Sequence, residues 1–499
     1  MCFHTGWGWC SIAALLGGGS AKNPVHTHDI VQKLWNLCNI LRDDGITYHQ
    51  YVTELTYLLF LKMARETGAE EQLPKRYRWG DLKKRQGKDL LDFYRQLLVH
   101  LGSLGNLRVQ EIYANAQTTL KKPANLDNLV RAIDNIEWYS ADREALGEVY
   151  EGLLEKNAIE KKSGAGQYFT PRPLIESIVR VVKPQPGEII QDPAAGTGGF
   201  LIAADRHIKE QTDDLLLLGK AQQEFQRTTA LCGVELVQDA HRLLLMNLML
   251  HGIEGDIQLG DTLAPLGAGL PKAHLIMSNP PFGTKKGGGL PTRSDFAYPT
   301  SNKQFAFLQH IYRGLRPGGR AAVVLPDNVL FEENTGTQLR CDLMERCNLH
   351  TILRMPPGIF YAQGVKTNVL FFTRGATEKG NTTATWIYDM RTNTPSLGKR
   401  NRFARDQFVE FERAFGSSPL GTSKRKDTGE TGRFRRFTRD DIRARGDSLD
   451  ITWLKDEGLG PPGDPQDPEE IAATIAGLLQ IAMDEIEGLQ AALGRENSS

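Results

Sequence analysis

Four consecutive residues, Asn279-Pro280-Pro281-Phe282, bring together groups suited to one kind of chemistry. An Asn side-chain carbonyl beside a Pro backbone carbonyl makes two acceptors for a planar amino group. The second Pro lacks an N–H and stiffens the turn, and Phe282 offers a flat face on which a heteroaromatic ring can stack. These features suit an exocyclic amine on an extruded base, held ready to attack an electrophile. Pro-rich turns at strand ends are common, so the weight of this reading comes from a second motif upstream.

That motif is Asp192-Pro193-Ala194-Ala195-Gly196-Thr197-Gly198-Gly199-Phe200. It follows a strand expected at 188–191 and leads into an apolar helix expected at 200–207. Strand, glycine turn and helix in this order build a nucleoside site at the carboxyl ends of an open α/β sheet. The glycines let backbone approach the ligand. An ordinary tight strand–helix turn is the bland alternative. The spacing G-T-G-G departs from the dinucleotide pattern G-x-G-x-x-G, which disfavours NAD.

The neighbouring segments extend the nucleoside reading. An apolar strand expected at 231–235 ends in Glu235, a position from which a carboxylate takes both ribose hydroxyls. A Leu- and Met-rich helix follows at 240–250. The segment 257–261 ends in Asp261, which is placed to meet an adenine amino group. Upstream, Gly166-Gln167-Tyr168-Phe169-Thr170-Pro171-Arg172 opens a helix expected at 174–182, with Thr170 as N-cap and Pro171 in the first helical position.

With its motifs in the order GQYFTP, DPAAGTGG, GVE, GDTL, NPPF, the chain resembles the amino-methylating, S-adenosylmethionine-dependent DNA methyltransferases. It looks most like the modification (M) subunits of type I restriction–modification systems. The resemblance runs from about Asp29 to the C-terminus and includes QKLWNLCNILRDDGITYHQYVTELTYLLFLKM, RMPPGIFYAQGVKTNVLFF and RGDSLDITWL. NPPF alone is shared with RNA and protein-glutamine methylases. In combination with QYFTP and the N-terminal segment it is specific.

The resemblance implies an α/β, Rossmann-like methyltransferase domain, preceded by an all-helical N-terminal domain and followed by a C-terminal partner-binding helix. S-adenosyl-L-methionine is the implied cofactor. Gly196, Thr197, Gly198 and Gly199 would lie against its methionine part, with Asp192 and Ala194 in the same turn. Glu235 would take the ribose and Asp261 the adenine, while Gln167, Tyr168, Phe169, Thr170, Pro171 and Arg172 would close the pocket. Asn279, Pro280, Pro281 and Phe282 would hold adenine N6, and no metal is called for. The implied partners are double-stranded DNA with a flipped adenine, a specificity (S) subunit, a second M copy in an M2S1 complex, and a restriction (R) subunit. No target-recognition domain is evident, so a lone subunit should bind DNA weakly and choose no sequence.

The elements that position these groups follow from periodicity. From Asp29 to about residue 160 the chain reads as helices, with Ile30, Leu34, Leu37 and Leu41 on one face and Val52, Leu55, Leu59 and Met63 on another. Trp35, His49 and Tyr57 read as core or satisfied surface residues rather than site residues. The catalytic domain is expected over 161–415, with later strands at 321–325 and an antiparallel edge hairpin at 349–354 and 368–373. Ahead of these strands, 284–292 with Lys285 and Lys286, followed by Arg293, reads either as a solvated loop or as a lid that touches phosphate. Residues 416–467 read as a basic, Pro/Gly-rich connector. Phe434 and Phe437 lie among its arginines, a pattern that also suits a bound strand. In 468–495, Ile471, Ile475, Leu478, Ala482, Ile486, Leu489 and Leu493 recur at heptad spacing, as in a helix that docks on a partner. Residues 1–28 fall outside the resemblance and read as a disordered extension or an upstream start, since they lack the basic n-region of a signal peptide.

Composition agrees with this reading. The 499 residues suit several globular domains. Sixty Lys plus Arg balance sixty Asp plus Glu, so any DNA-facing charge is local. The six cysteines form no C-x-x-C pair and read as thiols in a reducing cytoplasm. No apolar run approaches membrane-spanning length, and no P-loop is present. Rival readings are an N4-cytosine methylase, against which Asn279 argues, a glutamine or RNA methylase, and a non-catalytic assembly subunit that binds cofactor as a regulatory ligand.

Overall fold

The structure, a computed structural model, describes residues 27–37, 48–136, 170–283, 290–356, 359, 366–394 and 403–455. The expectations for residues 1–26, Gln167, Tyr168, Phe169, Lys285, Lys286 and the heptad segment 468–495 lie outside them.

A nine-stranded sheet organises the chain. Its strands are β1 (Ile190–Asp192), β2 (Leu231–Glu235), β3 (Asp256–Leu259), β4 (Ala273–Ser278), β5 (Leu315–Pro326), β6 (Cys347–Arg354), β7 (Thr367–Arg374), β8 (Ala384–Asp389) and β9 (Phe434–Thr438), in the order β3-β2-β1-β4-β5-β7-β6-β8-β9. β1 to β5 pair in parallel, β7 runs antiparallel between β5 and β6, and β9 runs antiparallel to β8. The carboxyl ends of β1, β2, β4, β5, β6 and β8 therefore share one edge. The order reverses between β1 and β4, which is where an open α/β sheet leaves its crevice.

The central strands are apolar on both faces because helices cover both. Leu275, Met277, Ala322, Val324, Val369 and Phe371 face one core with the helices Arg172–Val182 and Gly199–Gln211. Ile276, Ala321, Val323, Leu325, Leu370 and Phe372 face the other with Lys303–Gly314 and Thr335–Arg346. Burying each such Leu, Val or Phe contributes roughly 1.5–3 kcal/mol, and the period of two holds the register.

The N-terminal helices form a third core, in which Tyr57, Trp79, Leu90, Tyr94 and Leu97 are buried together with Trp35. The helix Gln238–Leu250 is shared between cores. Leu244 and Leu248 face the sheet, while Leu245, Met246, Met249 and Leu250 enter the N-terminal core. Burial on both sides accounts for its Leu and Met content. Arg242 on this helix donates to the carbonyls of Ile112 (2.8 Å) and Ala114 (3.1 Å), fastening the N-terminal helices to the sheet domain. Arg108 does the same from the other side, donating to Gly255 O at 2.8 Å.

Two expectations change. The β6–β7 hairpin is internal, because β8 and β9 extend the sheet beyond it. Phe434–Thr438, expected within a connector, is the ninth strand, with Phe434 buried against Trp386 and Tyr388. The basic residues of this stretch are largely consumed locally. Arg425 donates to Phe415 O and Thr351 Oγ1, Arg433 to the carbonyls of Asp389 and Thr392, and Arg435 lies over Phe437 and Trp453. The outer edge of β9 is covered as well, since Thr428 and Asp427 accept from the backbone N–H groups of Phe434 and Arg436. Among the described residues, no helix is long and apolar enough to cross a membrane, and Cys232, Cys341 and Cys347 are free thiols.

Candidate active site

Three strand ends and one helix start converge at the switch point. β1 ends in Asp192 and passes through the glycine turn into Gly199–Gln211. Gly196 and Gly198 have φ of 55° and 88°, conformations that favour glycine. A Cβ on Gly198 would stand 2.6 Å from Leu244 Cδ1, so helix and turn touch there; a Cβ on Gly196 would meet nothing within 4 Å. One glycine thus permits close packing and the other opens on free space. Gly199 heads the helix, and a Cβ there would sit 2.8 Å from Ile175 Cδ1. The Thr197 carbonyl accepts from Asn247 Nδ2 at 3.0 Å, and Ala194 packs against the small cluster of Leu263 and Phe296.

Glu235, at the end of β2, is buried. Its Oε2 accepts from Gly196 N at 2.9 Å and its Oε1 from Val237 N at 2.8 Å. Burial raises its pKa from the ordinary carboxylate value, and the backbone donors Val237, Gly196 and Leu236 oppose that rise. Asp261 is half-buried and accepts from Leu263 N at 2.8 Å. The adjacent Thr262 donates its hydroxyl to Pro193 O at 2.6 Å, joining this turn to the glycine turn.

Asp192 is 2% exposed. Burial pushes its carboxyl up to about 7, against bonds from Ser278 and Ala194 and with the Glu235 charge adding to the rise. Its Oδ1 accepts from Ser278 Oγ at 2.7 Å and Ala194 N at 3.1 Å.

Asn279 follows Ser278 directly. Its Nδ2 donates to Thr170 Oγ1 at 3.0 Å, which leaves Oδ1 as the acceptor end of the amide. Pro280 is buried, Pro281 and Phe282 are half-buried, and Phe282 packs against the sheet core. Gly283 is held at both backbone groups: its N–H donates to Gln304 Oε1 (3.0 Å) and its carbonyl accepts from Lys303 N (2.9 Å).

The structure therefore places three hydrogen bonds at these strand ends, Asn279 to Thr170, Ser278 to Asp192 and Gly196 to Glu235. Arg172 opens the helix Arg172–Val182, but the cap differs from expectation. Pro171 occupies the N-cap position without a side-chain bond, and Thr170 bonds Asn279 instead of capping the helix. Arg293 does not serve as a loop cation facing solvent. Its buried guanidinium bonds Asp295, Thr262 O and His310 Nδ1, anchoring the chain after the 284–289 segment. Ser278, Asn247, Thr262 and Gln304 escaped the sequence reading. A signal existed for the first two, each a polar residue directly after an apolar run, LIM before Ser278 and LLLM before Asn247.

The family model for N-6 DNA methylase matches residues 141–455, and that for the HsdM N-terminal domain matches 30–133. The EcoKI type I restriction enzyme methylase subunit of Escherichia coli K12 is 49% identical over 515 residues, covering 95% of this chain and 97% of that protein. The crystal structure of the EcoKI M protein superposes with a TM-score of 0.56 at 46% identity, covering 94% of this chain and 96% of the other. A modification subunit of a putative type I restriction enzyme from Vibrio vulnificus gives 0.70 at 25% identity, covering 88% and 98%. A type I R-M chain solved to explain complex assembly and conformational transition gives 0.68 at 25% identity, covering 94% and 99%.

Proposed function

The chain belongs to the N-6 DNA methylase family, among the methylase subunits of type I restriction enzymes, and from that premise we propose that it transfers a methyl group from S-adenosyl-L-methionine to adenine N6 in DNA, at a site chosen by a separate specificity subunit. The observation that carries this reading is the Asn279-Pro280 acceptor pair at the end of β4, the strand beside β1, whose end leads into the glycine turn; Ser278 before the pair bonds Asp192 of β1, and Asn279 itself bonds Thr170.

The residues fit the cofactor. The space beside Gly196 admits ligand backbone-close, and Glu235 binds backbone N–H groups while keeping carboxylate lone pairs for two ribose hydroxyls. Gly196 to Gly199 would hold the methionine part, Asp261 the adenine amino group, and Gln167 to Arg172 the pocket mouth. When bound, the cofactor supplies an electrophilic methyl on a sulfonium. The protein's task is then the weak nucleophile. Asn279 Oδ1 and the Pro280 carbonyl accept the two N6 hydrogens, favour a more tetrahedral nitrogen, and stabilise the positive charge that develops there. Their fixed placement aligns the lone pair with the methyl group. Phe282 stacks on the extruded base and offsets part of the few kcal/mol that extrusion costs.

Partners follow from family membership. Double-stranded DNA, an S subunit, a second M copy in M2S1 and an R subunit complete the assembly, with the heptad segment 468–495 as the surface for S. The test is tritiated methyl transfer to mixed-sequence DNA by this chain alone and with its specificity subunit. Label in N6-methyladenine only with the partner is expected. Label in N4-methylcytosine, or equal transfer by the lone chain, refutes the reading; cofactor binding without transfer in either arm favours a regulatory assembly subunit.

A further inference from the structure

The two strand ends that methyl transfer needs side by side are joined by a buried hydrogen bond. Ser278 ends β4, is 0% exposed, and immediately precedes Asn279. Asp192 ends β1, the parallel neighbour, where Gln191 stands opposite Ile276. The Ser278 hydroxyl donates to Asp192 Oδ1 at 2.7 Å, and the same oxygen accepts from Ala194 N inside the glycine turn. Among the described residues, Glu235 at the end of β2 is the charged group that faces this carboxyl. The bond thus spans the switch point, with the cofactor turn on one side and the acceptor amide on the other.

Two further facts favour a positioning role over simple packing. Hydroxyl-to-carboxylate bonds are short and directional, so this one sets an angle as well as a distance. The far side of Asn279 is also tied, through Nδ2 to Thr170 Oγ1, so Ser278 is the second of two points that define the amide. Building on the methyl-transfer reading above, we infer that Ser278 and Asp192 form a positioning pair that conveys the placement of the cofactor turn to the Asn279 acceptor, and that its effect falls on the transfer step rather than on cofactor affinity.

The experiment uses the full chain assembled with its specificity subunit on DNA that carries the recognised site. Single-turnover methyl transfer and the Kd of S-adenosylmethionine are measured for wild type, Ser278→Ala, Ser278→Cys, Asp192→Asn and the double variant Ser278→Ala/Asp192→Asn. Ser278→Ala is expected to slow transfer about 10- to 100-fold, the penalty of a small misplacement, while the Kd stays within about threefold. Ser278→Cys keeps the volume but only a weak donor; it should fall with Ala, and it replaces Ala should that variant fail to fold. The double variant should be no slower than the slower single, as for two ends of one bond. Transfer at the wild-type rate by Ser278→Ala, parallel loss of rate and cofactor affinity, or multiplicative penalties in the double variant would each overturn the inference. A wild-type complex that labels no adenine overturns the underlying reading instead, so the two failures are told apart by the wild-type arm.

Discussion

Replacing Gly198 by Ala tests whether the glycine turn is shaped by the helix behind it. The new residue must sit at φ 88°, which costs a Cβ-bearing residue about 1–2 kcal/mol. Its Cβ also meets Leu244 Cδ1 at 2.6 Å, with Ile202 Cδ1 and Leu248 Cδ2 at 3.7 Å. Forcing a methyl into a filled core costs about 1–3 kcal/mol, toward the lower end here because a leucine tip can rotate. The sum is about 2–5 kcal/mol, relieved when the turn moves off the helix. If about 2–3 kcal/mol of it appears in binding, the cofactor Kd rises roughly 30- to 150-fold. Titration calorimetry with S-adenosylmethionine reads this directly. Adding Leu244→Ala removes the contact, so Gly198→Ala should cost less in that background than in wild type. An unchanged Kd and Tm, or an equal penalty in both backgrounds, would falsify the claim that helix packing sets the turn.

Other perturbations separate the remaining roles. Asn279→Ala should abolish methyl transfer and leave the cofactor Kd near wild type, whereas Phe282→Ala should slow transfer and Phe282→Tyr keep most of it; equal loss of cofactor binding by Asn279→Ala in calorimetry would undo the role assignment. Arg242→Met leaves the carbonyls of Ile112 and Ala114 without this donor and should cost about 2–6 kcal/mol at 1–3 each, seen in urea as earlier release of the N-terminal helices; an unchanged midpoint would show that apolar packing alone fastens them. Burial opposes ionisation of Asp134, but bonds from Lys83, Trp79 and Lys62 outweigh it and hold the carboxyl at about 2. Because this pKa is lowered on folding, the stability it adds is present above the ordinary value of about 3.9 and is lost as pH falls through about 2. The advantage of wild type over Asp134→Asn should therefore shrink from pH 5 to pH 2 in denaturant unfolding, and a constant difference would contradict it.

The contiguous motifs were legible in the chain because each is a local object. DPAAGTGG must turn from strand to helix wherever it folds, a strand ending in Glu235 must leave that carboxylate at a sheet edge, and NPPF carries its own acceptors and its own stiff turn. Apolar runs marked β4, β5 and the β6–β7 pair for the same reason. The tertiary structure decided what depends on partners distant in sequence. Ser278 and Asp192 lie 86 residues apart, and Asn279 and Thr170 lie 109 apart. No spacing rule announces either bond: the first exists because β1 and β4 are neighbours at the point where strand order reverses, the second because the residue before the helix Arg172–Val182 meets the end of β4. Arg293 looked like a loop cation until Thr262 and His310 enclosed it. The basic stretch around Phe434 looked like a connector until β8 offered it an edge to pair with. The Leu- and Met-rich helix after Glu235 announced burial, but not that one face would back the glycine turn and the other the N-terminal helices. Local stereochemistry is written residue by residue, whereas pairing and shared burial depend on which surfaces the folded chain brings into contact.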